Sequence, residues 1–198
     1  MRLEKIKELE EKIEKLKVLE LKRLNTKARF LKTESYEVHL AGGQIFIREK
    51  LLKAGKNGNA VIILPYINEK EVLITIEPRV FTKRGVGIGL TAGYIEKGEE
   101  PIDAARRELL EETGFMDANL INLGSFYQDT GCSASYNTSF LATDLKSFTS
   151  QRLDKDEYIE NMIVREEELE DLIEMGYIND ANALITIEKA KKYLRRRK

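Results

Sequence analysis

The chain has 198 residues, with 33 Lys and Arg against 34 Asp and Glu, and a formal net charge of −1. That balance gives no support to nonspecific binding of nucleic acid, and no apolar run is long enough to span a membrane. Cys132 is the only cysteine, so no internal disulfide can form, which fits a reducing cytoplasm.

The charged N-terminus lacks the apolar stretch of a secretory signal. The length fits one domain with a small appendage. Residues 2–23 place Ile6, Leu9, Ile13 and Leu16 three and four apart in a Lys/Glu-rich background, which predicts an amphipathic helix. It is too short for an autonomous coiled coil and is expected to pack on the domain or on a second subunit. A strand pair follows over 35–48, with Tyr36, Val38 and Leu40 alternating before a turn at 41–43 and Ile45, Phe46 and Ile47 returning. His39, the only histidine, is read as a surface residue, and its solitude excludes a histidine-rich metal site.

Residues 60–65 and 71–77 read as two strands joined by a polar turn, and 85–93 as a glycine-rich lead into a helix. That helix starts at Pro101, which suits a first turn, and stops at Gly114. Ile102, Ala105 and Leu109 are expected to form its docking stripe. Strands are expected at 120–127 and 138–145 around a polar loop, and at 158–164. Helices are expected at 167–175 and 182–195, the second capped around Asn179 and Asp180. The basic end, Arg195 to Lys198, reads as a solvated helix terminus. The order predicts an α+β fold: a sheet with the 101–113 helix on one face and the terminal helices outside.

The 101–113 helix carries Glu108, Glu111 and Glu112 at i, i+3 and i+4, where like charges repel. Such a cluster either faces water or is neutralised, best by a hard divalent cation with oxygen ligands. Arg107 stands one turn before Glu111 and can reach back to Glu99, which would pin the loop to the helix. Gly93 stands before that loop, where a backbone can approach a ligand closely.

Gly93, Glu99, Arg107, Glu108, Leu109, Glu111, Glu112, Gly114 and Phe115 together stand at the fixed positions of a Nudix box, which the stretch resembles. The resemblance implies an α/β/α sandwich around a mixed sheet, with residues 1–57 as a dimerisation segment and 58–198 as the hydrolase domain. It implies hydrolysis of a nucleoside diphosphate linked to another group. Mg²⁺, with Mn²⁺ as the alternative, would be held by Glu108, Glu111 and Glu112. Gly93, Glu99, Arg107 and Gly114 would be the structural positions of the box.

Residues 76–79, 90–93, 155–160 and 175–181 resemble stretches of the ADP-ribose pyrophosphatase group, whose likeness covers roughly 30–195. The group implies a homodimer that exchanges its N-terminal strands. It also implies the Ala92 carbonyl as a metal ligand, Arg79 on the substrate diphosphate, and Glu157 as the residue that orients or deprotonates the attacking water. Glu108 and Glu112 would share in catalysis, and Asp156 and Glu160 are the substitutes for Glu157. Tyr36 and Phe46 could stack on the nucleobase or serve only sheet packing. Thr130 stands where the group has proline, Ala134 and Ser135 where an acid is frequent, and Lys155 where some members carry a second glutamate. These departures bear on the terminal sugar, not on the metal site. Other leaving groups (another nucleotide sugar, a dinucleoside polyphosphate, an oxidised nucleotide) and a non-cleaving sensor of nucleotide sugars are the competing readings. Cys132 has no histidine or basic partner in its loop and is not expected to act as a nucleophile.

Overall fold

The computed structural model describes residues 3–28 and 30–197. Arg2, the first residue of the expected first helix, and Lys198 of the basic end lie outside the described residues. In chain order the elements are α1 (Leu3–Lys15), β1 (Leu31–His39), β2 (Ile45–Lys53), β3 (Ala60–Pro65), β4 (Glu71–Pro78), β5 (Val86–Gly89) and β6 (Thr91–Tyr94). Then come α2 (Pro101–Thr113), β7 (Phe115–Tyr127), β8 (Tyr136–Phe148), β9 (Glu160–Arg165), α3 (Glu166–Glu174) and α4 (Ala181–Arg195). No helix among the described residues is long and apolar enough to cross a membrane.

The mixed sheet has the order β6-β3-β8-β7. β3 and β8 run parallel, from Val61↔Thr138 to Pro65↔Ala142, and the other pairs are antiparallel. A separate antiparallel sheet, β5-β4-β9, holds the remaining three core strands. β3 shows why the sandwich forms: its unbroken apolar run is buried on both faces. Val61 and Ile63 meet Ala104, Ala105 and Leu109 of α2, together with Phe140 and Ala142. Ile62 and Leu64 face the other way, into a core built with Val72, Ile74 and Ile76 of the second sheet and with Ala183 and Ile187 of α4. The fold is therefore the expected α+β sandwich.

α1 packs on its own domain. Leu9 is fully buried in the main core. Lys12 Nζ lies 3.0 Å from Glu160, and Lys5 Nζ donates to the Ile163 carbonyl at 2.9 Å, so the helix lies against β9. The helix ends at Lys15 rather than at 23, as the sequence had suggested. Leu19, Leu21 and Leu24 continue an apolar pattern but are 92%, 59% and 73% exposed. The docking surface has ended, and a helix this short has little stability of its own.

β1 and β2 pair over nine positions, from Leu31↔Lys53 to His39↔Ile45, and form a two-stranded sheet by themselves. The hairpin joins the body at its base, where Leu51 N donates to the Cys132 carbonyl at 2.7 Å. Most of its length is exposed on both faces, and His39 lies on its surface as expected. α4 begins at the expected cap: the Asp180 side chain accepts from Ala183 N at 2.8 Å.

Candidate active site

α2 turns its inner arc to the sheet with Ala104, Ala105, Glu108, Leu109 and Glu112. Ile102, expected in that stripe, is exposed, and Ala104 takes its place because the inward arc passes through 104 and 105. The helix stops at Gly114, left-handed at φ 82, whose N–H returns to the Leu110 carbonyl. Glu108 and Glu112 are only 8% and 5% exposed, so neither belongs to a solvated acidic face. Glu111 stands at the edge, half-buried.

β6 supplies the opposing wall. It is paired antiparallel with β3, Ile62↔Ala92 and Val61↔Gly93. Ala92 N donates to Glu112 Oε2 at 3.2 Å. Gly93 lies flat against the Glu108 carboxylate, and a methyl group on it would overlap that carboxylate. Only a bare backbone can come that close.

Arg107 ties the wall to the helix. Its Nε and Nη2 form a fork on Glu99, both at 3.0 Å, and Nη2 also donates to the Tyr94 carbonyl at 3.0 Å. Nη1 reaches Glu108 at 2.6 Å and Glu111 at 3.1 Å. This guanidinium holds the Glu99 carboxyl below its ordinary range. Glu108 is pushed up by burial, against the pull of Arg107. Glu112 is pushed well up, first by burial and then by the neighbouring charges of Glu77 and Glu108.

Among the described residues, no three acidic, histidine or cysteine groups converge closely enough to chelate an ion. The cause is visible: Glu108 and Glu111 are turned onto Arg107, and Glu112 onto Ala92 N. The donor set nevertheless suits a hard divalent cation. It consists of carboxylates beside a strand backbone, two of them buried where a negative charge is costly without a partner.

Glu108 and Glu112 form the floor of a cleft of about 730 Å³, whose walls include Glu77, Arg79, Ala92, Tyr94, Asn137, Glu157 and Asn182, while Glu111 lies outside its lining. Arg79, Ala92, Gly93, Arg107, Glu108, Glu112 and Glu157 are thus brought together by the fold. Glu157 is exposed on the loop before β9, and its Oε2 accepts from Asp154 N at 3.1 Å. Asp156 lines the same cleft. Glu160, the other substitute, is bound to Lys12 and Lys15 and lies outside the lining.

Tyr36 and Phe46 are not brought to the cleft by their own chain. They sit on the projecting β1–β2 hairpin, where Tyr36 donates to Glu34 and the Arg48 guanidinium lies 4.3 Å above the Phe46 ring. Sequence reading had singled out neither Glu77, Tyr94, Asn137 nor Asn182 as site residues. Glu77 had a usable signal, since it stands two residues before Arg79, the spacing at which extended backbone puts side chains on one face.

Comparison with known proteins places this geometry. The family model of the NUDIX domain matches residues 56–192. The ADP-ribose pyrophosphatase of Bacillus subtilis (strain 168) is 33% identical over 153 residues, 77% of this chain and 80% of that protein. The ADP-ribose pyrophosphatase of Escherichia coli (strain K12) is 25% identical over 142 residues, 67% of this chain and 68% of that protein. The methanol dehydrogenase activator of Bacillus methanolicus is 28% identical over 161 residues, 81% and 84% of the two chains. A solved structure titled as an ADP compounds hydrolase superposes with a TM-score of 0.74 at 23% identity, covering 87% of this chain and 90% of that one, and shows the shared fold. With its box helix, its pinned arginine and a family match over most of its length, the chain belongs to the Nudix hydrolases.

Proposed function

We propose that the protein hydrolyses the diphosphate bond of a nucleoside diphosphate sugar, with ADP-ribose favoured, giving a nucleoside monophosphate and a sugar phosphate. The observation that carries this reading is the burial of Glu108 and Glu112 at the floor of a cleft whose wall carries Arg79. The ADP-ribose pyrophosphatases of Bacillus subtilis and Escherichia coli support the choice of substrate.

Glu108, Glu111, Glu112 and the Ala92 carbonyl would hold Mg²⁺ or Mn²⁺. When bound, the cation supplies charge neutralisation and Lewis-acid polarisation of the diphosphate. Arg79 offers a planar fork of donors to the diphosphate oxygens. Glu157, at the cleft rim, orients the attacking water and accepts its proton, with Asp156 as the substitute. The water oxygen forms a new bond to one phosphorus, and the bridging oxygen leaves with the electron pair. Arg107 and Glu99 hold Glu108 and the 95–100 loop in place. Catalysis then consists mainly of positioning and charge stabilisation. One exposed, unpaired cysteine fits such work in the cytoplasm.

Incubation with Mg²⁺ and a panel of nucleotide sugars, dinucleoside polyphosphates and oxidised nucleotides, followed by phosphatase and a phosphate assay, tests the reading. ADP-ribose is expected to turn over fastest, with AMP and ribose 5-phosphate in equal amounts. No turnover on any member, together with thermal stabilisation by ADP-ribose, would establish a sensor instead.

Residues 1–57 would serve as a dimerisation segment for the 58–198 hydrolase domain. An isolated two-stranded hairpin is marginal in water, yet this one exposes Tyr36, Ile45 and Ile47 at 46%, 59% and 68%. A second copy would cover that surface and bring Tyr36 and Phe46 toward its cleft. Light scattering at micromolar concentration is expected to give twice the chain mass, and Ile47→Asp to shift it toward one. A wild-type monomer would reject the homodimer.

A further inference from the structure

Arg79 stands in the wall between two clefts. One is the acidic cleft described above; the other, about 520 Å³, is bounded by Lys83, Arg84 and Tyr177, and Glu77 and Arg79 line both. The loop that carries Arg79 is closed on itself: Arg79 N donates to the Gly85 carbonyl at 2.9 Å, and Thr82 N to the Arg79 carbonyl at 2.8 Å. The backbone position is therefore fixed, but the Arg79 side chain is 55% exposed. An arginine that open would sample many rotamers if nothing else held it.

Two groups hold it. Arg79 Nη2 lies 2.5 Å from Glu77 Oε1. The aliphatic stem crosses Gly87, where a methyl group would come 2.5 Å from Arg79 Cγ and 3.3 Å from its Cβ. Glu77 and Gly87 are direct register partners in the β4–β5 ladder. One rung of the sheet thus supplies both the counter-ion for the guanidinium and the room for its stem.

Glu77 is in a poor place for an acid whose only task is stability. Burial disfavours its charge, and it faces Glu157, Asp180 and Glu112. A partly exposed ion pair returns little. Its geometry makes sense as a constraint on the guanidinium, which has five N–H donors and can keep one edge on Glu77 while presenting another.

We infer that Glu77 and Gly87 are positioning residues, which hold the Arg79 guanidinium at the edge of the acidic cleft in the orientation that receives the substrate diphosphate. This rests on the proposed role of Arg79. Gly87 acts only through that arginine, and Glu77 acts on the diphosphate through it. Their loss therefore weakens a contact made alike to bound substrate and to the transition state, which raises KM and leaves kcat.

The test is steady-state hydrolysis of ADP-ribose by the wild type and by Arg79→Ala, Gly87→Ala, Glu77→Gln and the Gly87→Ala/Arg79→Ala double variant, with melting temperatures as a check on folding. Arg79→Ala is expected to raise KM roughly tenfold or more, as loss of a charged hydrogen-bonding partner does. Gly87→Ala should raise it about fivefold with kcat within about twofold, and Glu77→Gln about threefold, since the amide keeps an acceptor but not the charge. In the Arg79→Ala background, Gly87→Ala should add less than about twofold. A Gly87→Ala effect that persists in that background, or one that falls on kcat alone, would overturn the positioning inference while leaving Arg79 in its role. An Arg79→Ala variant with unchanged KM, or no hydrolysis of ADP-ribose at all, would overturn the underlying assignment and the inference with it.

Discussion

Glu112→Gln is expected to lower kcat/KM by roughly 10³-fold or more, since it removes a charge on which cation binding and the reaction both depend in the proposed mechanism. The same change should stabilise the metal-free protein. Glu112 is buried and its folded-state pKa is raised well above the ordinary carboxylate value. A group raised in this way binds its proton more tightly in the folded state. Its favourable contribution is complete below the unfolded value, about 4.3, and is lost as pH rises through the folded value. Glutamine has no such charge to bury. In a chelating buffer the variant should therefore melt above the wild type at neutral pH, and the gap should close as pH falls toward the ordinary carboxylate range. A thermal melt series from acid to neutral pH reads this directly. A variant that is both active and less stable across the series would show that Glu112 is an ordinary structural acid.

Gly93→Ala should cost roughly 10²-fold in kcat/KM, the scale on which a misplaced group near the chemistry acts. Its added methyl overlaps the Glu108 carboxylate. Either that carboxylate swings away from the cleft, or β6 retreats from α2 and the Ala92 N–H to Glu112 bond, 3.2 Å long, is broken. The two routes separate in a Glu108→Ala background. If the cost runs through Glu108, Gly93→Ala adds little there; if it runs through the strand, the cost persists. Wild-type kinetics in the single variant would mean that the close approach of strand and helix has no part in the reaction.

Much of this arrangement was legible in the chain because it is written in local signals. Pro101 and Gly114 bracket α2 where they stand in the sequence, and Asp180 caps α4. The 60–65 and 71–77 runs became β3 and β4, since long apolar runs bounded by polar turns have few other uses. The Arg107–Glu99 fork could be anticipated because the two residues flank one loop.

What was missed depends on contacts that no local pattern encodes. β5 and β6 occupy most of 86–94, where glycines leave no side-chain alternation to read. β7 begins at Phe115 rather than at 120 because β8 continues beside it past the register shift between Asp117 and Asn119, to Phe115↔Phe148, beyond the apolar segment. The 2–23 helix stops early because its apolar spacing outlasts the surface it docks on. Tyr36 and Phe46 had the right chemistry for a nucleobase, but their hairpin points away from the body. Glu77 could be found from its spacing to Arg79, but the ladder that sets it opposite Gly87 is a pairing between strands with no trace in either segment alone.

The central claim is that the buried carboxylates of one short helix hold a divalent cation where a diphosphate is cut. Titration of Mg²⁺ into the folded protein by calorimetry, in the presence of a non-hydrolysable methylene analogue of ADP-ribose, tests it most directly when wild type and Glu112→Gln are compared. Saturable uptake by the wild type that is lost in the variant is the expected result. No uptake by the wild type, or equal uptake by both proteins, would contradict it.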